Sequence, residues 1–476
     1  MPSLKENPVS GIPPGLEKPV RKEANANLLE AVRLLLDILT PVLCEAVFKK
    51  HRITERERKW TFYKAALFWT AMIIHHPPSI QQGLGQTRRA RGKDKLWPQV
   101  RASARSFFSK CAALHPRFFQ SLYEAFIKQA LSKAPQAYAS WMSDLRERFP
   151  AIYVIDGSRL DAIAKTLKLL RPERARILPG CLTVTYDLFR GIAAQVLFFP
   201  DAAEAELPRS QESMGAIESG ALLLGDRLYA SVKFFHLLGM LGLWGLFRLN
   251  GTLNVKKIKT LSKKEGRGFL EDSLVEVGSG VGQPAILLRL IRCRSQGRRL
   301  YLLTSVLDPK KLAAEEVLSL YGLRWTIERM FLDLKETLDL HTLHASHPNL
   351  VAQQVYASAL VHAAFRIAQA RIAQKAKVLP EQISTGKLFP RLAQAASDYC
   401  AAQVFVFRTK AMNPGRHVRF PSFSILPSAS AKIGSILVEH RSPARRKRRF
   451  CASGKRWKSF THVRGGRTFL KNAAIG

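Results

Sequence analysis

The pattern of apolar and polar positions divides the chain into a helical first part and a mixed second part. Apolar residues recur at helical spacing over Asn27–Lys50, Trp60–Ile74, His115–Lys133 and Gln136–Glu147, which predicts an all-α region. From Phe149 the apolar runs become short and rich in β-branched residues, as in buried strands. The sequence therefore predicts a change from helices to an α/β arrangement near this point.

Strand-like runs in the second part alternate with helical ones. The predicted strands are Ala151–Ile155, Cys181–Asp187, Gly191–Phe199 and Ala221–Gly225, the middle two forming a hairpin. One helix is expected within Asp201–Glu218 and another over Ala230–Met240. In α/β sheets, polar groups at the carboxyl ends of strands form the functional site. Asp156 and Asp226 each directly follow a predicted strand and are candidates for that role.

Within the second part of the chain, the segment Leu243–Thr304 is mainly β in character and contains a basic loop, Lys256–Arg267. This pattern favours a β-rich insertion, with the last strand, Leu300–Thr304, compatible with a place in the main sheet. Long helices are predicted over Val351–Ala376 and Lys387–Val406. The expected organisation is a flexible lead at 1–24, a helical domain at 25–148, an α/β domain at 149–345 with its insertion at about 243–298, a helical region at 346–412, and a linker with a basic tail at 413–476.

Charge narrows the choice of partner. The 476 residues include 75 Lys and Arg against 36 Asp and Glu, a formal net charge of +39, which favours a polyanion such as nucleic acid. An anionic membrane is the rival partner, but the apolar runs Phe62–Ile74 and Phe234–Leu249 are too short or too interrupted to span a bilayer. The six cysteines are far apart and form no Cys-x2-Cys pair. A cytoplasmic protein with reduced thiols and no zinc module is expected.

The strongest local pattern is Tyr-x2-Arg-x3-Glu-x6-Lys, formed by Tyr321, Arg324, Glu328 and Lys335. At about 100° per residue, one continuous helix would project all four side chains from one stripe. A carboxylate held between two cations and a phenol suits metal binding beside a phosphodiester. An ordinary amphipathic helix with an i,i+4 pair between Arg324 and Glu328 explains the same pattern equally well.

This spacing resembles the Tyr-Arg-Glu-Lys signature of bacterial DDE transposases of the insertion-sequence-four family. The resemblance covers about residues 150–340. It implies a ribonuclease-H-like core interrupted by a β-rich insertion, with two aspartates at strand ends upstream of the Glu. Asp156 and Asp226 stand at such places, and the run from Asp226 to Tyr229 is similar to the family's pattern around its second carboxylate. Leu228 is a departure, since relatives often have glycine there.

The resemblance also implies roles for individual residues. Asp156, Asp226 and Glu328 would be the catalytic carboxylates and would hold two Mg²⁺ ions, with Mn²⁺ able to substitute. Such ions activate a water or sugar hydroxyl and stabilise the leaving alkoxide, and they favour carboxylate oxygens. The residues expected to contact DNA are Tyr321, Arg324, Lys335, Arg227 and Arg248.

The expected function is cut-and-paste transposition by a protein of the bacterial nucleoid. It would bind the terminal inverted repeats of its element and the target DNA, as a dimer in the synaptic complex, with the helical domain 25–148 helping to bind DNA. A catalytically inactive, DNA-binding repressor relative is the alternative. An RNA-binding protein would leave the three acidic residues unexplained, and no Gly-x4-Gly-Lys-Ser/Thr motif supports ATP use.

Overall fold

The structure, a computed structural model, describes most of the chain up to residue 399. The described residues are 17–90, 96–134, 142–160, 180–202, 204–265, 269–278, 284–295, 298–376, 380 and 383–399. The predicted linker and basic tail, 413–476, lie outside them, as does the end of the helix predicted over Lys387–Val406. Most of the predicted flexible lead also lies outside, and the first helix begins at Glu17, within the 1–24 segment.

The first part of the chain is helical wherever it forms regular structure in the described residues. Its helices are α1 (Glu17–Ile38), α2 (Pro41–His51), α3 (Phe62–His75), α4 (Ile80–Arg89), α5 (Ala104–Ala113), α6 (Pro116–Lys133) and α7 (Ser143–Arg148). The single helix expected over Asn27–Lys50 is two helices. Pro41 starts the second one, and the side chain of Thr40 caps it by accepting a hydrogen bond from Leu43 N at 3.2 Å. Proline is favoured in the first turn of a helix, but a helix that starts earlier in the chain cannot easily continue through it.

A nine-stranded mixed sheet forms the centre of the second part. Its strands are β1 (Ile152–Arg159), β2 (Cys181–Asp187), β3 (Ile192–Phe199), β4 (Leu222–Gly225), β5 (Trp244–Arg248), β6 (Val255–Glu265), β7 (Phe269–Val277), β8 (Ile286–Ser295) and β9 (Arg298–Thr304). They lie in the order β3-β2-β1-β4-β5-β9-β8-β7-β6. Strands β1, β4 and β5 are parallel neighbours, and the other pairings are antiparallel. The predicted mixed α/β architecture is confirmed.

Helices follow or separate the strands. They are α8 (Glu206–Met214), α9 (Val232–Met240), α10 (Ala314–Gly322), α11 (Trp325–Leu332), α12 (Pro348–Ala376) and α13 (Thr385–Leu388), with a 3₁₀ turn at Arg227–Tyr229, a π-helical turn at Asp333–Thr337 and a further helix over 390–399. Helix α9 carries the chain from β4 back to the start of the parallel strand β5. This crossover makes Trp244–Arg248 a strand of the main sheet, whereas it was expected within the insertion.

The β-rich segment extends the main sheet. Strand β9 pairs with β5, and β8, β7 and β6 continue from it as an antiparallel meander. The segment Lys256–Arg267 was expected to be a loop, but its residues up to Glu265 belong to edge strand β6 (Val255–Glu265), and residues 266–267 lie outside the described part of the chain. Its lysines face solvent along the outer edge of the sheet, a position where charged side chains discourage pairing with another chain.

Alternate residues of the central strands feed two cores. Ile152, Val154 and Leu224 join the larger core, which also contains the N-terminal helices and α12. Ile155 and Leu223 point to the opposite face and pack with residues of α8 and α9, as the strand period of two requires. Buried polar bonds join these parts: Tyr123 in α6 donates to the carbonyl of Ala193 in β3 at 2.7 Å. The N-terminal helices therefore share one core with the sheet.

No helix within the described residues is both long and apolar enough to cross a membrane. The four cysteines in that part of the chain are free thiols. Three of them, Cys44, Cys111 and Cys181, are buried.

Candidate active site

Asp156 and Asp226 lie at equivalent positions just beyond the parallel pairing of β1 with β4. Asp226 directly follows β4, whereas Asp156 lies within β1, which continues to Arg159 in its pairing with β2, so the prediction that Asp156 follows its strand is wrong. In the register of β1 and β4 the last paired residues are Val154 and Leu224, and Asp156 and Asp226 each lie two positions further along. Neighbouring strands run about 4.8 Å apart, so the register brings these two residues to the same edge of the sheet. This placement follows from the short apolar runs that precede each aspartate.

The Asp156 carboxyl lies in a partly buried, acidic environment. Burial raises its pKa to about 7, and the negative charges of Glu206 and Glu328 add to the rise. Arg324 and the N–H of Gly157, which donates to Asp156 Oδ1 at 2.9 Å, oppose it. Burial is therefore the main reason why this carboxyl favours its protonated form.

Arg324 links the first and third predicted carboxylates. Its Nη1 lies 3.4 Å from Asp156 Oδ2, and its Nη2 donates to Glu328 Oε1. The side chains of Arg324 and Asp156 are each 20% exposed, whereas that of Glu328 is 57% exposed. Burial alone would lower the pKa of Arg324, but the hydrogen bond that it donates to Glu328 raises it. The structure therefore brings Asp156 and Glu328 to one guanidinium.

The four signature residues do not lie on one continuous helix. Helix α10 ends at Gly322 and α11 begins at Trp325, with a tight junction in which Arg324 N donates to the carbonyl of Tyr321 at 3.1 Å. Glycine is a poor helix former and favours such an end. Beyond α11 the backbone widens into the π-helical turn that carries Lys335. The predicted single helix is wrong in its continuity.

Tyr321 and Arg248 lie on the Asp226 side of the site. Burial raises the pKa of Tyr321 to about 12; the charges of Arg324 and Arg248 lower it, and that of Asp226 raises it. Arg248 is exposed at the end of β5, one position beyond the paired residues Gly225 and Phe247. Arg227 is exposed in the 3₁₀ turn that starts after Asp226.

Lys335 connects the π-helical turn to the end of β1, because its Nζ donates to the carbonyl of Arg159 at 2.9 Å. A buried anchor lies in the same turn. The Oδ1 of Asp333 accepts a hydrogen bond from Thr385 Oγ1 at 2.6 Å, and its Oδ2 lies 3.8 Å from His362 Nε2. The turn is thus fixed on one side to the sheet and on the other to α12 and α13.

Two residues that were not predicted as site residues lie against the predicted ones. Glu206, the first residue of α8, accepts a hydrogen bond from the Tyr229 hydroxyl at 2.6 Å. Its carboxyl group is also packed against Gly157. Burial raises the pKa of Tyr229 well above its ordinary value, and the charge of Glu206 adds to this rise. The sequence predicts a helix within Asp201–Glu218, but spacing alone does not connect Glu206 to either aspartate.

The donor chemistry of the site fits a divalent cation. Asp156, Asp226 and Glu328 offer hard carboxylate oxygens of the kind that Mg²⁺ and Mn²⁺ prefer, and a guanidinium already lies between two of them. Within the described residues, no group of three or more His, Cys, Asp or Glu side chains is close enough together to hold a metal ion. The roles of the individual residues in metal and DNA binding therefore stay predictions.

Comparisons with known proteins connect this region to transposases. The family model described as the transposase DDE domain matches residues 182–363, a segment that contains Asp226 and Glu328 but begins after Asp156. The chain is 27% identical over 194 residues to the putative transposase y4zB of Sinorhizobium fredii, covering 38% of this chain and 54% of that protein. It is also 27% identical over 165 residues to the transposase InsG for insertion sequence element IS4 of Escherichia coli, covering 32% of this chain and 37% of that protein.

The aligned region thus spans about half or less of the length of these two relatives. Among solved structures, the piggyBac transposase in its synaptic complex with hairpin DNA is similar at a TM-score of 0.40 and 10% identity, covering 81% of this chain and 84% of that one. The family resemblance predicted from the Tyr-Arg-Glu-Lys spacing is confirmed by the family model and by the two relatives.

Proposed function

We propose that this chain, a DDE transposase of the insertion-sequence-four type, binds the terminal inverted repeats of its element and catalyses cut-and-paste transposition. In this proposal it hydrolyses phosphodiester bonds at the element ends and joins the freed 3′ hydroxyls to target DNA. Its place of action is the bacterial nucleoid in the cytoplasm. Two ends must be held together, so the working form is at least a dimer on DNA.

One observation carries the proposal: Asp156 and Asp226 each lie two positions beyond the last parallel pair of β1 and β4, and Arg324 connects Asp156 to Glu328. A strand, a hairpin, a helix, a second strand and a second helix precede the signature region. This order supports a ribonuclease-H-like core, formed by β1–β5 and extended by the meander β6–β9. Asp156 and Glu328 are far apart in sequence and contact one guanidinium, which supports a shared chemical role for them.

Asp156, Asp226 and Glu328 would hold two Mg²⁺ ions, or Mn²⁺ in their place. Bound divalent ions supply Lewis acidity toward the attacking and leaving oxygens of a phosphodiester. Arg324 offers a planar fork for a phosphate oxygen pair, and Tyr321 offers a hydroxyl donor beside it. Lys335, Arg227 and Arg248 would add positive charge for the DNA backbone. Burial of Asp156 limits the access of bulk water to its carboxyl.

Electrostatics support a DNA partner more broadly. The net charge of +39 predicts many phosphate contacts and therefore an affinity that falls steeply with salt. The lysine-rich edge strand β6 exposes Lys256 and Lys259 along the sheet. In this proposal the edge strand, the N-terminal helices and the basic tail read the phosphate backbone without reading sequence.

A catalytically inactive, DNA-binding relative is the second candidate. The position of Arg324 between Asp156 and Glu328 favours it, because this cation occupies carboxylates that a metal ion would need. The two candidates differ in one measurable respect: only the first cuts DNA.

The test is cleavage of a labelled duplex that carries the inverted repeat bracketing the coding gene, with Mg²⁺ or Mn²⁺, beside a gel-shift on the same duplex. Glu328→Gln should bind the duplex nearly as well as wild type and lose cleavage at least about 100-fold, because a lost ligand costs no less than a lost supporting partner. Glu336→Gln is the matched control, since Glu336 is exposed two turns further on and pairs with His341.

Two outcomes would overturn parts of the proposal. Tight binding by wild-type protein without cleavage in either metal would establish the inactive binder instead. Undiminished cleavage by Glu328→Gln would show that the third carboxylate is another residue.

A further inference from the structure

Glu206 contacts both chain segments that carry the aspartates: β1 beside Asp156 and the turn after Asp226. One oxygen of its carboxylate, Oε1, accepts the hydrogen bond from Tyr229, in the turn after β4. The same carboxyl group lies so close to Gly157, the residue after Asp156, that a Cβ added to Gly157 would be 2.6 Å from Glu206 Cδ and 2.8 Å from Oε2. One side chain of α8 therefore contacts both segments at once.

Each contact fixes a residue near a predicted carboxylate: Gly157 directly follows Asp156, and Tyr229 lies three positions after Asp226. Tyr229 closes the turn that begins at Asp226, its N–H donating to the Asp226 carbonyl at 3.1 Å. The Tyr229 ring is fully buried and packs against Phe234 and Phe247 at centroid distances of 5.6 and 6.1 Å. On the other strand, the N–H of Gly157 orients the Asp156 carboxyl. A shift of Glu206 would therefore displace the segments that carry both aspartates.

The bridge needs a small residue at position 157. With any Cβ there, the Glu206 carboxyl must move, since real Cβ atoms are essentially never that close to another heavy atom. Of the atoms that Cβ would meet, the nearest belong to the end of the Glu206 side chain, so the cost of an added methyl group falls on Glu206. Burial makes the loss of the Tyr229 bond expensive, because an unpaired buried donor forfeits its solvation.

We infer that Glu206 is a positioning residue, which sets the separation of Asp156 and Asp226 by bonding Tyr229 and packing on Gly157. This inference rests on the proposed function for its catalytic consequence. The required property is an acceptor of the right length. A glutamine keeps that property, since its side-chain oxygen also accepts from a hydroxyl. A direct metal ligand would instead require the negative charge, so Glu206→Gln separates the two roles.

The experiment compares Glu206→Gln, Glu206→Ala and Tyr229→Phe in the full-length protein. Cleavage of the repeat duplex and Mn²⁺ binding, followed by the paramagnetic resonance of free Mn²⁺, should fall about 10–100-fold for Glu206→Ala and Tyr229→Phe, as for lost supporting partners of metal ligands. Glu206→Gln should stay within about threefold of wild type in both, less than such a partner's loss costs. Thermal unfolding checks that each variant is folded.

A second measurement needs neither metal nor DNA. Hydrogen exchange of the backbone amides of Gly157 and Tyr229 in metal-free protein should accelerate in Glu206→Ala and Tyr229→Phe, and stay at the wild-type rate in Glu206→Gln. If wild-type protein never cleaves DNA, the proposed function fails while this exchange pattern still decides whether Glu206 fixes the two segments.

A double variant makes the test stricter. Gly157→Ala should lower cleavage in the wild-type background, because its methyl group displaces the Glu206 carboxyl, and should have little further effect in the Glu206→Ala background, where that space is open. Equal losses in the two backgrounds would overturn the inference. It would also be overturned if Glu206→Gln were as damaged as Glu206→Ala, which would make the charge itself the requirement, or if all variants behaved as wild type.

Discussion

The guanidinium of Arg324 lies 3.4 Å from Asp156, a residue 168 positions earlier in the chain, and also bonds Glu328 one helical turn away. The pairing joins the start of α11, where Arg324 lies, to β1 of the sheet. It gives one cation two tasks in the proposed function: holding the carboxylates together in the free protein and contacting a phosphate of DNA.

Replacing Arg324 separates these tasks. Arg324→Ala should weaken the complex with the inverted-repeat duplex by about 10- to 100-fold in metal-free buffer, because hydrogen bonds to charged groups contribute about 1.5–3 kcal/mol each. A gel-shift titration measures this. Arg371→Ala is the control for the loss of one positive charge, since Arg371 is paired with Glu30 instead. Equal losses in the two variants would contradict a phosphate contact by Arg324.

Asp156 makes stability depend on pH in the metal-free protein. Its folded pKa, about 7, lies above the ordinary value of 3.8, so the unfolded chain ionises this carboxyl first. Its contribution to stability is therefore fully present below about pH 4 and is lost as the pH rises to about 7. Asp156→Asn should remove this loss. At pH 8 the free energy of unfolding of this variant should exceed that of wild type by up to about 4 kcal/mol.

Urea unfolding with a chelator at pH 4.5 and pH 8 checks this prediction. Asp37→Asn controls for removing one carboxylate from a strongly basic chain, since Asp37 is exposed and pairs with Arg33 on α1. A difference between Asp156→Asn and wild type that stays constant between the two pH values would contradict the raised pKa.

The π-helical turn depends on its buried anchor. Thr385→Val removes the hydroxyl that bonds Asp333 at 2.6 Å and should reduce the free energy of unfolding by about 1–3 kcal/mol, because it leaves a buried acceptor short of a partner. Thr342→Val is the matched control: it breaks a similar Thr–Asp bond, to Asp339 at 2.9 Å, on the exposed surface. There the loss should be below about 0.5 kcal/mol. Urea denaturation of both variants decides whether burial makes the difference.

A buried ion pair fastens the β-rich extension to the segment that leads into α10. Arg289 bonds Asp272 through two nitrogens, both side chains being almost fully buried, and also donates to the carbonyl of Leu312 at 2.6 Å. Asp272→Ala should reduce the free energy of unfolding by about 3–5 kcal/mol, because it leaves a buried guanidinium without its counter-charge. Glu265→Ala, which breaks the exposed pair with Lys263 in the same extension, should change stability little. Similar melting temperatures for the two variants would contradict this ranking.

Local pattern was enough to predict several elements. Strand β2 has the predicted bounds, and β1, β3 and β4 lie where short apolar runs indicated them. Period-two burial and helical spacing are properties of neighbouring residues, so they are visible without a partner. The same runs place Asp226 directly after β4, but Asp156 lies within β1, because pairing with β2 extends that strand to Arg159. The Tyr-Arg-Glu-Lys spacing indicated a resemblance to transposases of the insertion-sequence-four family, and the family model and the two relatives confirm that resemblance.

Pairing and packing decided the rest. The lysine-rich segment of β6 lacks an apolar face of its own and is a strand because β7 supplies its hydrogen-bond partners. The tight junction at Arg324 and the π-helical turn lie where this part of the chain bonds other elements. Arg324 and Lys335 bond residues of β1, and Asp333 bonds Thr385 of α13. Glu206 belongs to the site because its side chain contacts Tyr229 and Gly157, which lie on two different segments of the chain. The sequence by itself determined most of the central strands and the aspartates that follow their apolar runs, since these follow from local periodicity. Only the tertiary structure decided which distant residues meet, because contacts between side chains far apart in the chain leave no periodic trace in it.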